Sequence, residues 1–302
     1  MPTAPSDQTT GSSDPEPAFS RAIAVEEPGL ARDLLARVTG LSKNAVKDCM
    51  IKGGVWRRKN RRTTVRLRRA TAAVIPGDRL EIHYDPRLLA LVPPEPELVF
   101  RNERYSVWNK PAGTLAQGTL FADHCAMPRL VQTRLDLKNE PHPVHRLDRE
   151  ARGLMLLARD ADAAARLGAL FRNGLVEKEY MVVVAGRPSW TEMESDAPLD
   201  GRESKSMFRV LQTDRPSDTA LVAARIATGR RHQIRRHLAG LGYPVLGDPR
   251  YGRRNTCAHG LQLLAQSLAF ICPFTKAPMS WSLPPLVFPP SRRQAAMTSR
   301  KT

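Results

Sequence analysis

A chain of 302 residues, 41% of them hydrophobic, is long enough for two domains and a sizeable core. Its 47 lysines and arginines outnumber its 30 aspartates and glutamates, for a formal net charge of +17, which points to a polyanionic partner, nucleic acid first. The longest apolar runs, such as Met181 to Ala185, are too short to span a membrane. The N-terminal residues lack the apolar core of a signal peptide. Cys49, Cys125, Cys257 and Cys272 have no C-x-x-C spacing, which argues against a zinc site and for reduced thiols in the cytoplasm.

Residues 1–20 are Ser, Thr, Pro and Asp with few large apolar side chains and are expected to form a disordered tail. Residues 21–85 read as a small module. Leu30, Leu34, Leu35 and Val38 recur at helical spacing, and Gly40 stops that helix. Ser42 caps a second helix from Lys43 to Ile51, which ends at Lys52-Gly53-Gly54. A dense basic block follows Trp56: Arg57, Arg58, Lys59, Arg61, Arg62, Arg66, Arg68 and Arg69. Such clustering favours a phosphate-contacting face over a solvated loop. Pro76-Gly77-Asp78 turns into an alternating strand that ends at Tyr84.

Three segments, Ser42 to Lys47, Ile51 to Val55 and Pro76 to Leu80, resemble the two-helix-plus-strands RNA-binding domain first described in a small-subunit ribosomal protein. That domain usually has an Asn-Gly turn where Trp56-Arg57-Arg58 stands. Lys43, Lys47, Arg57, Arg58, Arg61 and Arg62 are its candidate RNA contacts.

Pro86, Pro93, Pro94 and Pro96 mark residues 86–98 as a semi-rigid linker. A larger domain is expected over 99–290, with a basic tail at 291–302. Leu98 to Phe100 and Tyr105 to Trp108 pair around an Asn102-Glu103 turn, and Asn109 to Gly113 closes the hairpin. Residues 114–143 are irregular, with helical potential from Leu130 to Leu137. Leu154 to Ala158 is a strand. Asp160 caps a helix over Ala161 to Arg172 that turns Leu167, Leu170 and Phe171 inward. Glu179 to Val184, Met207 to Gln212 and Thr219 to Ala227 are further strands, with loops over 186–205. Thr228 caps a helix that runs to Gly242. It buries Ile234, His237, Leu238 and Leu241 and offers Arg231 and Arg235 as a row of cations from another face. Turns over 244–252 and an apolar stretch from Leu261 to Phe270 complete the domain. Strands interrupted by helices without regular alternation define an α+β fold with a mixed, mainly antiparallel sheet.

The chemistry concentrates in Val144-His145-Arg146-Leu147-Asp148-Arg149-Glu150-Ala151-Arg152-Gly153, a charged loop that runs into a buried strand. A kinase catalytic loop is excluded, because no Gly-rich loop precedes it and no Asp-Phe-Gly follows. No P-loop is present. His145 and Asp148 are only two ligands without spaced partners, and His232 and His237 are five apart, so metal binding has weak support. What remains is a carboxylate among arginines that keep it ionised. Such a group is either a nucleophile or charge stabiliser facing a sugar or ring carbon, or a structural ion-pair acceptor.

Pro143 to Arg159 resembles the signature of the RluA-type RNA pseudouridine synthase family. Three more matches follow the family's order: Asn109 to Gly113; Lys178-Glu179-Tyr180; and Thr228 to Leu238 with Gly247-Asp248-Pro249-Arg250-Tyr251-Gly252. The resemblance implies isomerisation of uridine in RNA without cofactor or metal. Asp148 would attack or stabilise the sugar or the base. Tyr180 would stack on the flipped base and serve in the final deprotonation. Arg235 would pair with Asp148, Arg146 would fill the gap left in the stack, and Arg231 and His232 would contact RNA. Ala151 and Arg152 replace the family's usual threonine and serine, and Leu264 and Cys272 replace histidines. Ribosomal RNA is favoured over transfer RNA as partner, with a monomeric protein and no membrane. A catalytically silent RNA-binding or ribosome-assembly factor is the alternative of another class. A glycosidase or nuclease would need a second carboxylate acid, for which only Glu150 is close, or a metal cluster.

Overall fold

The computed structural model describes residues 17–59, 64–252 and 255–288. Arg61, Arg62, the first sixteen residues of the expected tail and the basic C-terminal tail lie outside them. The chain divides into two compact units, one over Met1–Val92 with Thr119–His124, the other over Pro93–Gly118 with Cys125–Thr302.

In the first unit, strand β1 (Phe19–Ala24) starts inside the stretch expected to be disordered, because it pairs antiparallel with residues 79–84. Helix α1 (Ala31–Thr39) ends on Gly40 at φ 80°, the left-handed turn that a glycine allows, and buries Leu35. Helix α2 (Lys43–Ile51) starts at Ser42, whose Oγ accepts from the Ala45 amide at 3.1 Å. Strands β2 (Val55–Arg58), β3 (Thr64–Arg66) and β4 (Arg79–Tyr84) join β1 in a sheet of order β1-β4-β2-β3. The first part of the expected linker is instead a single helical turn, α3 (Pro86–Leu89). Asp85 caps it and Leu89 is buried in this unit's core.

The basic block is also placed differently. Arg57 points inward, to the buried Asp78 and to the Ala73 carbonyl at 3.0 Å. Arg66 and Arg68 converge on the buried Asp123 of the segment Thr119–His124, with Arg66 Nε at 3.0 Å. Trp56 donates its indole N–H to the Leu120 carbonyl at 2.9 Å, and Arg66 lies over its ring. Trp56 and these arginines hold a loop within this unit.

The second unit is built on a ten-stranded sheet. Its strands include β5 (Glu97–Arg101), β6 (Tyr105–Lys110), β7 (Arg152–Ala158), β8 (Val176–Ala185), β9 (Glu192–Ser195), β10 (Ser206–Asp214), β11 (Thr219–Ile226), β12 (Leu263–Ile271) and β13 (Pro278–Ser282). The path runs β9-β10-β11-β8-β12-β7-β6-β5; β13 pairs with β12 and His142–Pro143 with β7. Only β7–β12 is parallel among these pairs, so the sheet is mixed and mainly antiparallel. Strand β7 is buried on both faces: Met155 and Leu157 pack with Trp108, Val182 and Ile234, and Leu154 and Leu156 with Tyr105 and Phe270. Helix α4 (Met127–Arg134) begins three residues before its expected start, with Pro128 in its first turn, where a missing N–H costs nothing. Helix α5 (Ala161–Arg172) covers the second face. Asp160 caps it at 2.8 Å from the Ala163 amide, and Leu167 is buried.

Helix α6 spans Gln233–Gly240 and starts at His232, not Thr228. His232 is left-handed at φ 54°, which breaks the helix there, and Thr228 instead donates to the Gln233 side chain at 2.7 Å. Arg235 is buried at 2% exposure, bonded to Asp248 and Asp148, and is no part of a surface cation row. Among the described residues no helix is long and apolar enough to cross a membrane.

Candidate active site

The loop that carries Asp148 ends where β7 meets β12. Gly153 sits there at φ 123°, and a Cβ on it would lie 2.3 Å from the Ala265 carbonyl oxygen, so only glycine lets the two backbones approach. The loop is anchored at both ends. At its start, His145 Nε2 accepts from the Leu156 amide at 3.0 Å and its ring stacks on Phe171 at 4.5 Å. Burial, helped by the charge of Lys178, pushes this histidine down to about 3, so it is neutral and an acceptor at physiological pH. At its end, the fully buried Lys110 donates to the carbonyls of Thr114 (2.8 Å), Pro111 (3.0 Å) and Arg149 (3.2 Å). Burial pulls Lys110 down to about 7 against the opposing pull of Asp148 and Glu150. The Gly113 amide also donates to the Arg149 carbonyl, at 2.7 Å. Lys110, legible in the sequence only as a turn residue, thus ties the hairpin after β6 to the charged loop.

Asp148 Oδ2 accepts from Arg235 Nη1 at 3.1 Å, and Oδ1 lies 3.9 Å from His232 Nε2. Glu150 is 3.5 Å from the same Nη1. The rest of the guanidinium is engaged bidentately by Asp248, through Nε at 2.7 Å and Nη2 at 2.9 Å. Burial alone would disfavour this cation, but hydrogen bonds to Asp248 and Asp148 hold Arg235 well above its ordinary range. Burial likewise opposes the Asp248 charge, and Arg235 with the amides of Tyr251 and Arg250 more than offsets it, so Asp248 stays low and ionised. The sequence contained Asp248 within a matching motif; what it could not display was the reach of this carboxylate to a helix thirteen residues earlier.

A cavity of about 730 Å³ opens in front of Asp148. Among the described residues that line it, Asp148 is the only carboxylate, facing Arg146, Arg172, Lys178, Arg230, Arg231 and Arg235. Tyr180, on β8 beside a bulge at Glu179/Tyr180, forms an apolar wall with Leu147, Ile234 and Leu263. Burial, with the Asp148 charge, pushes its phenol up, so it keeps its proton at neutral pH. Arg146 and Arg231 are exposed at the rim, and burial lowers His232 below the usual imidazole range. Six of the residues singled out in the sequence, Arg146, Asp148, Tyr180, Arg231, His232 and Arg235, therefore meet in one cavity. Lys43, Lys47, Arg57 and Arg58 belong to the first unit, with Lys43 3.2 Å from Asp33 and Lys47 exposed. At the positions that depart from the family pattern, Ala151 is buried beside Leu147, and Arg152 is exposed. No group of three or more His, Cys, Asp or Glu among the described residues could hold a metal ion.

Comparison with known proteins defines the class. Residues 104–240 match the family model for RNA pseudouridylate synthase. An uncharacterized RNA pseudouridine synthase of Bacillus subtilis, YjbO, is 30% identical over 275 residues, 81% of this chain and 92% of that protein. The dual-specificity RNA pseudouridine synthase RluA of Vibrio parahaemolyticus is 33% identical over 60% of this chain and 79% of its own length. The ribosomal large subunit pseudouridine synthase D of Zymomonas mobilis is 32% identical, and the matched region spans 60% of its length. In fold, the human RNA pseudouridylate synthase domain containing 1 superposes with a TM-score of 0.54 at 20% identity, over 70% of this chain and 98% of that one. This chain belongs to the RluA-type RNA pseudouridine synthase family.

Proposed function

We propose that this protein isomerises uridine in RNA to pseudouridine, with Asp148 as the reacting carboxylate. The supporting observation is that Asp148, held by Arg235, is the one carboxylate among the described residues that line the cavity, where it faces six cations and an apolar wall. Such a cavity attracts the RNA backbone. In the reaction, the bond from ribose C1′ to uracil N1 breaks, the base rotates, and C5 bonds to C1′. The proton on C5 leaves, and N1 gains one. Base and sugar are both retained, so no co-reactant is needed. Asp148, at 17% side-chain exposure, is open enough to meet a flipped nucleoside and act as nucleophile or charge stabiliser. Tyr180 offers its ring to the base. Its phenol passes a proton to Asp148 as it takes the one from C5, so both roles suit a tyrosine that starts protonated. Arg146, exposed beside Asp148, fills the space that the extruded nucleotide leaves.

Arg231 and His232 in this unit, and Lys43, Lys47 and Arg58 in the first, contact the flanking RNA, so the first unit is an RNA-binding module. Ribosomal RNA is the target we favour over transfer RNA, because that module is appended and two of the relatives, from Zymomonas mobilis and Vibrio vulnificus, are named as ribosomal large subunit enzymes. The protein acts in the cytoplasm as a monomer. The test is to incubate purified wild type and Asp148→Ala with cellular RNA and map pseudouridine. Wild type is expected to modify a ribosomal RNA uridine, and the variant none. RNA binding by wild type with no pseudouridine on any RNA would leave a silent binding factor; modification of transfer RNA alone would overturn the ribosomal assignment.

A further inference from the structure

Asp148 faces two partners, Arg235 and His232, and a single loop, Gly247 to Gly252, holds both of them. Asp248 engages Nε and Nη2 of Arg235, the edge of the guanidinium that faces away from Asp148. Because the guanidinium is planar, fixing that edge fixes the direction of Nη1, which reaches Asp148. Asp248 is fully buried and is itself fixed by the amides of Arg250 and Tyr251 at 2.8 and 3.0 Å, so it touches neither solvent nor RNA. Tyr251 works on both partners. Its ring lies 5.3 Å from the Arg235 guanidinium carbon. Its hydroxyl bonds His232 Nδ1 at 2.9 Å, which leaves Nε2 toward Asp148. His232 is also in a left-handed backbone conformation that a non-glycine residue adopts only when its surroundings hold it there. Without these contacts Arg235 has an alternative acceptor close by, Glu150, at 3.5 Å from Nη1.

We propose that Asp248 and Tyr251 are positioning residues that act through Arg235 and His232 to aim them at Asp148. The proposal rests on the isomerase reading for its kinetic consequence and on geometry alone for its structural one. Asp248→Asn keeps the side-chain shape and removes the charge. Its crystal structure is expected to show Nη1 of Arg235 displaced from Asp148; an unmoved guanidinium overturns the proposal. In single turnover on saturating RNA, the rate is expected to fall by about 10²-fold with an unchanged Kd for RNA, as small misplacements at a reacting centre do. Adding Asp248→Asn to Arg235→Lys is expected to cost little more than Arg235→Lys alone, because the two act in series. Fully additive losses, the mark of a merely structural carboxylate, overturn it. Tyr251→Phe keeps the ring and removes the hydroxyl. It is expected to slow turnover about tenfold, a loss that disappears in a His232→Gln background; persistence of the loss there counts against the Tyr251 half. If Asp248→Asn does not fold, this second cycle decides the proposal. If wild type forms no pseudouridine, the isomerase reading fails, and the guanidinium position in Asp248→Asn still decides the positioning claim.

Discussion

Two arginine-rich regions of this molecule look alike in sequence and are engaged in opposite ways. In the first unit, Arg57 is taken by Asp78, and Arg66 and Arg68 by Asp123, both buried acids. These cations hold turns and a loop in place. Among the described residues around the cavity of the second unit, Arg235 is taken by the buried Asp248, whereas Arg146, Arg172, Lys178, Arg230 and Arg231 face a single lining carboxylate, Asp148, and Arg146 and Arg231 stay exposed. A guanidinium beside a buried acid is neutralised, and its remaining donors go to carbonyls; one without an acid nearby keeps its field for a polyanion. Local arginine density therefore says little about where RNA binds. The placement of acids, which come from distant parts of the chain, says more.

The largest expected effect sharpens this contrast at the carboxylate itself. Asp148→Ala is expected to lower product formation by at least ~10³-fold while RNA binding persists, since a group reacting directly has no substitute. Next is Asp123→Ala, which leaves Arg66 and Arg68 without their buried acid; a loss of about 3–5 kcal/mol in the first unit's stability is expected by denaturant titration. A change below about 1 kcal/mol would break the claim that these arginines are structural. Tyr180→Phe retains the wall of the cavity and removes the phenol. A rate lower by about 10²-fold with unchanged RNA affinity is expected if the proton relay operates, and a rate within a few-fold of wild type would restrict Tyr180 to packing.

A pH experiment tests the anchor of the charged loop. His145 has a folded-state value of about 3, below its ordinary one of 6.5, so between these the unfolded chain binds the extra proton. Its contribution to stability is present above pH 6.5 and is lost on acidification toward pH 3, at up to about 1.4 kcal/mol per pH unit. Wild type is expected to lose stability between pH 6.5 and 5 more steeply than His145→Asn; parallel curves would mean that the ring takes up a proton in place. The smallest effect separates the two arginine regions directly. Arg231→Gln is expected to reduce the slope of log affinity for RNA against log salt by about 1, and Arg57→Gln to leave it unchanged while lowering stability. A slope that falls for Arg57→Gln would return the basic block to the RNA face.

The sequence was informative wherever a property is local. Gly40, Ser42 and Asp160 marked helix ends because a left-handed turn or a side-chain cap involves only neighbours within three or four residues. Runs of strands interrupted by helices without regular alternation, and the apolar run after Gly153, marked an α+β sheet, and the ordered motifs marked Asp148, Tyr180 and Arg235 as a set. Tertiary structure alone decided what depends on meetings across the chain. It turned Arg57 inward to Asp78. It moved the start of α6 from Thr228 to Gln233 by holding His232 in a left-handed turn against Tyr251. It placed Asp248 behind Arg235, and it put Lys110 beneath the loop of Asp148, thirty-nine residues from its Arg149 acceptor. A side chain's type and spacing state what it can bond to; which acid or carbonyl it meets depends on sheet register and loop closure, and those are set by the packing of the whole unit.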